Sequence, residues 1–498
     1  MIKSKIFLPC EKFTTMNRRV ILWYLGLSML FVSIMMAVSL MVAFLTPGDE
    51  SRIPLLYGTL ITALIGVFPL IFIPKNKVKI NFKEGNAIIV GSWFFACLFG
   101  MIPFVMYAGE FSPINALFES VSGFTTTGAS ILNDIEALPR GLQFWRISTA
   151  WVGGIGIVTL FSMIVTGRNK SRLTDAEMSS VARQTFEGGR SVSFAQRILV
   201  TYIALTVITF LALKICGMAW FDSATTAMSA CSTCGFCIKN SSIAFYNNHA
   251  VEIVLTFAML ASGINFGILF LTFVRGSQKN LFKSEPIRVF LILVAGAMVV
   301  VAVDLMVQGN YTNKWEAVLD AAFQVASIST TTGFATEDTT TWPPLTIAIL
   351  LVCSLICGCS GSTSGGIKID RLVLAIKGIQ VKIGRGIHPN IVQTVRVDKI
   401  VRPYEQVTDA LVYICCYLIV IMICGAINIA FGLDLASGLS ASIACMGNVG
   451  PGFGEVGSMA NYADVPGVVK ATSMIEMIIG RLEIFPVLYL ARSFSSRA

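Results

Sequence analysis

Apolar residues run almost unbroken from about 20 to 45, and nine further stretches of about 20 residues follow. They lie at roughly 56–74, 88–108, 143–166, 195–217, 250–274, 288–308, 344–364, 406–431 and 468–491. A helix of that length crosses the hydrocarbon core of a bilayer, so the pattern predicts ten spans and places both termini on one side. The first stretch is longer than the roughly 7–15 apolar residues of a secretory signal and has no small-residue cleavage site, so it is expected to remain as a span.

Shorter apolar segments interrupt this rhythm. Four begin near Ser112 and Pro113, near Asp222, near Trp315 and near Asp434. Each has about 10–15 residues, too few to cross. Each carries small residues, then Ser, Thr or Cys, and beyond them a Gly: ALFESVSGFTTTGAS (116–130), SATTAMSACSTCGFC (223–237), AAFQVASISTTTGFA (321–335) and SGLSASIACMGNVGP (437–451). The pivotal residues Gly128, Gly235, Gly333 and Gly450 are 107, 98 and 117 positions apart.

The repeat is thus span, half-span, polar glycine loop, span. The expected architecture is an all-α polytopic membrane protein with ten full spans and four half-spans in pseudo-fourfold arrangement. An N-terminal transmembrane pair (1–84) precedes four repeats, at 85–190, 191–284, 285–400 and 401–498. Non-helical backbone at membrane depth is tolerated only inside protein or along a watery cavity, so the four turns are expected to meet around one axis.

Composition agrees: of 498 residues 55% are apolar and only 13% charged, with a mean hydropathy of +0.75. Soluble domains run at about 45–50% and about 25%, so a cytosolic enzyme, a secreted domain and a disordered chain are excluded. The net charge of +9 could suggest a nucleic-acid partner, but its placement argues otherwise. Of 37 basic residues, 29 fall in the N-terminus, in the loops 75–86, 168–197, 275–288 and 368–402, and in the C-terminus. Asp49, Glu50, Glu110, Asp134, Glu136, Glu337, Asp338, Asp434, Glu455 and Asp464 fall in the alternate loops. Cytoplasmic loops carry the Lys/Arg excess, so both termini are read as cytoplasmic, with lipid as surroundings and no nucleic acid as partner.

Glycine allows dihedrals that aim consecutive carbonyls in one direction, and rings of carbonyls can replace an ion's water shell. Thr125, Thr126 and Thr127 before Gly128, Ser232, Thr233 and Cys234 before Gly235, Thr330, Thr331 and Thr332 before Gly333, and Gly447, Asn448 and Val449 before Gly450 would act mainly through main-chain oxygen. No Asp or Glu stands at these positions, which favours a monovalent cation over Ca²⁺ or Mg²⁺. Taken singly, one such loop could be a glycine-capped helix end.

Two other features suggest control. Gly358, Gly361, Ser362, Gly365 and Gly366 sit in ICGCSGSTSGGIKIDR. Each helical glycine costs about 1 kcal/mol against Ala, so this stretch is expected to unwind into a loop that could block ions, or else to kink a helix for close packing. Lys368 and Arg371 follow at its cytoplasmic exit. Arg481, with Glu476 and Glu483 nearby, interrupts a span; it either faces the pore as a barrier to cations or forms a buried ion pair.

The motifs SGFTTTGAS (122–130), STCGF (232–236), STTTGFAT (329–336), CSGSTSGGIKIDR (359–371), CMGNVGPGFG (445–454) and GRLEIFPVL (480–488) resemble the Trk/Ktr/HKT potassium-transporter superfamily. The similarity is strongest to its TrkH-type membrane subunits, and the extra N-terminal pair of spans fits that type. The resemblance implies potassium uptake across a bacterial inner membrane, a homodimer, a gating loop beneath the filter, and control by a cytosolic nucleotide-binding subunit of the TrkA type. It implies potassium as the transported ion and no cofactor in this chain. Glycine in all four loops points to potassium, whereas sodium-permeable relatives carry serine in the first; a sodium-permeable pore of this fold is the alternative. One departure is Cys234, where the family is often Gly.

A different class of function would rest on Cys231, Cys234 and Cys237, spaced like part of an iron–sulfur ligand set but without the fourth cysteine. Only His249 and His388 are present, and no nucleotide-binding or hydrolase motif occurs.

Overall fold

The computed structural model describes residues 16–74, 81–165, 191–275, 279–309, 311, 313–388 and 393–495. The basic stretches at 3–12, 75–79 and 168–190, which carry much of the topology reading, lie outside the described residues.

Among the described residues the regular structure is helical apart from one short hairpin, β1 (Arg396–Val397) with β2 (Ile400–Val401). It opens with α1 (Arg18–Leu45) and α2 (Arg52–Phe72). The Asn17 side chain caps α1 by accepting from Arg19 N, and α1 stops before the Thr46-Pro47-Gly48 turn. The two helices cross closely because each carries a glycine at the contact. A Cβ on Gly26 would meet Gly66 O at 2.7 Å, and one on Gly66 would meet Leu30 N at 2.8 Å.

Next come α3 (Phe82–Gly100), α4 (Ile102–Tyr107), α5 (Pro113–Phe124) and α6 (Arg140–Val165). The pattern recurs in α7 (Ser191–Ile215), α8 (Trp220–Ser232), α9 (His249–Ser262), α10 (Phe266–Arg275) and the short α11 (Lys279–Lys283). It recurs again in α12 (Glu285–Val307), α13 (Lys314–Ser329), α14 (Pro344–Ile356) and α15 (Ile369–Ile387). The chain ends with α16 (Tyr404–Ala430), α17 (Leu435–Gly447), α18 (Gly467–Leu482) and α19 (Ile484–Ser495).

Among the described residues, six helices are long and apolar enough to cross a membrane: Arg18–Leu45, Arg52–Phe72, Lys83–Tyr107, Gln196–Ile215, Glu285–Val307 and Tyr404–Ala430. Two spans expected to be straight are broken instead, and the one expected to unwind or kink at its glycines ends its helix ahead of them. The 250–274 stretch bends by 111° between α9 and α10, because Gly263 packs on the third glycine loop and Asn265 turns to the loop after α14. The 344–364 stretch leaves helix at Ile356, and the 468–491 stretch breaks at Glu483, whose φ is +65°. Residues 369–387, read from sequence as part of a loop, form α15. Its Ile376, Ile379, Ile383 and Ile387 make one exposed apolar stripe beside Lys382 and Arg385.

The short helices α5, α8, α13 and α17 are the interior of the molecule. Nine of the 13 residues of α17 are buried, nearly all of them small. Ser112, Asn313 and Asp434 cap the N-termini of α5, α13 and α17 with side-chain acceptors.

Candidate functional site

Each short helix ends in the same way. Thr126, Thr233, Thr331 and Asn448 adopt left-handed φ of 54°, 55°, 59° and 54°. The next residue donates its N–H five residues back: Thr127 to Ser122 O at 2.8 Å, Cys234 to Ser229 O at 3.2 Å, Thr332 to Ser327 O at 2.8 Å, and Val449 to Ala444 O at 2.8 Å. This is the Schellman termination, normally made by glycine. Here three threonines and an asparagine make it, and a left-handed residue with a Cβ is strained by about 1–2 kcal/mol. A left-handed helix cap, made by Thr or Asn, and the pivotal glycine therefore both stand in each loop, two residues apart.

The glycines themselves follow at φ 84°, 82°, 80° and 95° for Gly128, Gly235, Gly333 and Gly450. Left-handed backbone at alternate positions turns successive carbonyls to one side. The glycines also close a ring. A Cβ on Gly128 would strike Cys234 O, on Gly235 Thr332 O, on Gly333 Val449 O, and on Gly450 Thr127 O. Each loop thus presents the oxygen before its own glycine to the glycine of the preceding loop, and the fourth returns to the first. The helix C-termini, which carry negative partial charge, lead into this ring.

Side chains behind the ring fasten it. The Thr125 and Thr127 hydroxyls lie 2.8 Å apart, as do those of Thr330 and Thr332. Asn448 Nδ2 donates to Thr127 Oγ1 at 3.0 Å and to Met477 O at 2.9 Å, joining the fourth loop to the first. On the flanking surface, the Asn240 amide donates to Asp134 at 2.9 Å and holds that carboxyl below the usual carboxylate range.

The glycine stretch after α14 packs against the ends of the short helices. Gly365 N donates to Thr331 Oγ1 at 3.0 Å, and Thr363 Oγ1 donates toward Cys231 O at 3.1 Å. A Cβ on Gly365 would strike Gly447 O. Asn265 Nδ2 donates to Ser360 O at 2.6 Å, while Phe266 N donates to Gly361 O at 3.0 Å. Gly361, Gly366 and Lys368 have φ of 78°, 71° and 70°, and Ser362 Oγ donates to Cys359 O at 2.6 Å. Gly358 leaves space for Gly263 O. At the far end Glu483 pairs with Lys368 at 3.2 Å and Arg371 at 2.6 Å.

Arg481 reaches this loop directly. Its Nη1 donates to Thr363 O at 2.6 Å and its Nη2 to Gly153 O at 3.2 Å. Glu483 is engaged by Lys368 and Arg371, and Glu476 by Ser442. Among the described residues Arg481 has no carboxylate partner, so the ion-pair reading of this residue does not fit.

Sequence reasoning missed Glu119 and Arg146. They form a buried ion pair between α5 and α6, and Arg146 also donates to Cys237 O at 2.8 Å and stacks 3.6 Å from the Phe236 ring centroid. Glu119 in turn accepts from Ile131 N at 3.1 Å. A lone arginine in an apolar span demands a partner, and that was the available signal. Glu119→Ala leaves a buried guanidinium uncompensated and is expected to destabilise the fold by about 3–5 kcal/mol. Thermal unfolding in detergent measures this.

The cysteines divide rather than converge. Cys231 faces Thr209 Oγ1 at 3.7 Å, while Cys234 and Cys237 present main-chain oxygens to Gly128 and Arg146. Among the described residues no three His, Cys, Asp or Glu side chains gather as a metal site.

The sequence pattern of the TrkH family, described as a cation transport protein, matches residues 56–497. A protein named Trk system potassium uptake protein TrkH from Vibrio parahaemolyticus serotype O3:K6 is 31% identical over 481 residues, covering 95% of this chain and 98% of that protein. A protein of the same name from Halomonas elongata is 29% identical over 483 residues, again covering 95% and 98%. The crystal structure of the potassium transporter TrkH from Vibrio parahaemolyticus superimposes with a TM-score of 0.87 at 29% identity, over 95% of this chain and 98% of that one.

Proposed function

The chain belongs to the TrkH family of multi-pass cation transport proteins, a family of transporters and not of enzymes, and from that premise we propose that it takes up potassium through the ring of glycine turns. The observation that carries this reading is the cyclic approach of the carbonyls of Thr127, Cys234, Thr332 and Val449 to the glycines Gly450, Gly128, Gly235 and Gly333. Four main-chain oxygens on one axis can replace water around a large monovalent ion. Neutral loops suit such an ion better than a divalent one.

In this reading the filter comprises residues 125–128, 232–235, 330–333 and 447–450. The segment from Gly358 to Lys368 is the gate, and Arg481 is its electrostatic bar. The chain divides into an N-terminal pair (1–84) and four repeats (85–190, 191–284, 285–400 and 401–498), making ten crossings. It sits in a bacterial inner membrane with both termini cytoplasmic. The names of the relatives place them in a Trk system. By that likeness the chain works as a homodimer under a TrkA-type nucleotide-binding subunit. The membrane potential supplies about 2.3 kcal/mol per charge per 100 mV, more than the roughly 1.4 kcal/mol of a tenfold gradient, so uptake needs no coupled ion.

Expression in cells that lack their own potassium uptake, with and without a candidate cytosolic subunit, is expected to restore growth at low external potassium. Growth that stays absent with the protein present in the membrane counts against the proposal. Rubidium and sodium competition in proteoliposomes separates potassium selectivity from the sodium-permeable alternative.

A further inference from the structure

One buried carboxyl takes no part in the ring or in the loop packed against it. Glu476 on α18 has no exposed surface. Its Oε1 touches the Oγ of Ser442 on α17, and that same hydroxyl lies 3.0 Å from the main-chain oxygen of Ile421 on α16. A hydroxyl has one proton to give, and a carbonyl can only accept. Both contacts form together when Glu476 carries a proton and donates it to Ser442, and Ser442 donates its own to Ile421 O.

The surroundings agree with a neutral acid. Beyond Ser442 the carboxyl is offered only the weak donor of the Cys424 thiol, its Oε2 has no partner at hydrogen-bond geometry, and a neutral carbonyl oxygen so placed is far less costly to bury than half of a carboxylate. The titratable groups facing Glu476 are Tyr417 and Cys424 of α16, Cys445 of α17 and Tyr462 from the segment before α18. All are uncharged when protonated. Glu119 on the neighbouring α5 is turned to Arg146, and Arg481 further along α18 is turned to Thr363 and Gly153. Among the described residues no cation lies within ion-pair distance of Glu476.

We propose that Glu476 is a proton-holding positioning residue, which as a neutral carboxylic acid fastens the fourth short helix between α16 and α18. The place matters because the next residue, Met477, receives the Asn448 amide that sets the fourth glycine turn. Loss of the proton puts an uncompensated charge at membrane depth, reverses the Glu476–Ser442 hydrogen bond, and frees α17 with its turn. The effect on transport rests on the potassium-filter reading; the protonation state does not.

Two measurements test it on the full chain. Infrared spectra of the purified protein are expected to show a protonated-carboxyl stretch that Glu476→Gln removes. Potassium flux in proteoliposomes is expected to fall about tenfold per pH unit above the point where Glu476 titrates, and Glu476→Gln, which keeps a neutral donor, is expected to abolish that decline while retaining neutral-pH flux. Glu476→Ala, eluting as the same species in gel filtration, loses flux at every pH. An unchanged carboxyl band in Glu476→Gln, or a Glu476→Gln flux profile identical to the parent's, overturns the proposal. If no potassium flux is seen at all, the filter reading fails while the infrared band still decides the state of Glu476.

Discussion

Gly128→Ser is expected to reduce the preference for potassium over sodium by about tenfold or more, equivalent to about 1.4 kcal/mol or more. The reason is spatial before it is chemical. Gly128 has a φ of +84°, where an L side chain is strained, and its missing Cβ is the space into which Cys234 O projects. A serine must push that carbonyl away from the axis or withdraw the first loop. Either change removes one of the four oxygens of the proposed filter, and rings of this kind discriminate by the number and field strength of their dipoles. Gly128→Ala is expected to give the same loss, since the Cβ and not the hydroxyl is responsible. Cation-competition flux in proteoliposomes checks both, and a potassium preference that survives both substitutions removes selectivity from this ring.

Arg481→Ala is expected to raise basal potassium flux, in the absence of any regulatory subunit, by more than about tenfold. Two effects add. The guanidinium is only 5% exposed and ties Thr363 of the glycine loop to Gly153 of α6, so its loss frees the loop. Its charge also opposes any cation nearby: two unit charges 4 Å apart repel by about 4 kcal/mol at an effective dielectric of 20. Arg481→Lys separates the two effects, because lysine keeps the charge and loses the forked donor. Lysine is expected to give intermediate flux. Equal flux in all three proteins ends the barrier role.

Much of this was readable along the chain because membrane and helix physics act locally. Four short helices were expected near 113, 222, 315 and 434, and they begin at Pro113, Trp220, Lys314 and Leu435. A polar cap followed by a segment too short to cross is a local signal. Other features were hidden because their causes are distant in sequence. The straight span expected at 250–274 bends because Asn265 has a partner at Ser360. The basic stretch after Lys368 forms a helix whose apolar stripe was masked by its charges. The pairing of Glu119 with Arg146 was missed because 27 positions divide them.

Sequence by itself determined that the chain is membrane-embedded, that it repeats a glycine turn four times, and which residues stand at each turn. Burial of apolar length and the need to hide backbone polarity follow from composition and spacing alone. Only the tertiary structure decided that Thr126, Thr233, Thr331 and Asn448 carry the left-handed termination, and that each glycine is required by the carbonyl of the next loop. The first is a local hydrogen bond that several residue types can make; the second depends on the approach of segments about a hundred or more residues apart, which closes the ring through space and leaves no trace in any one stretch of the chain.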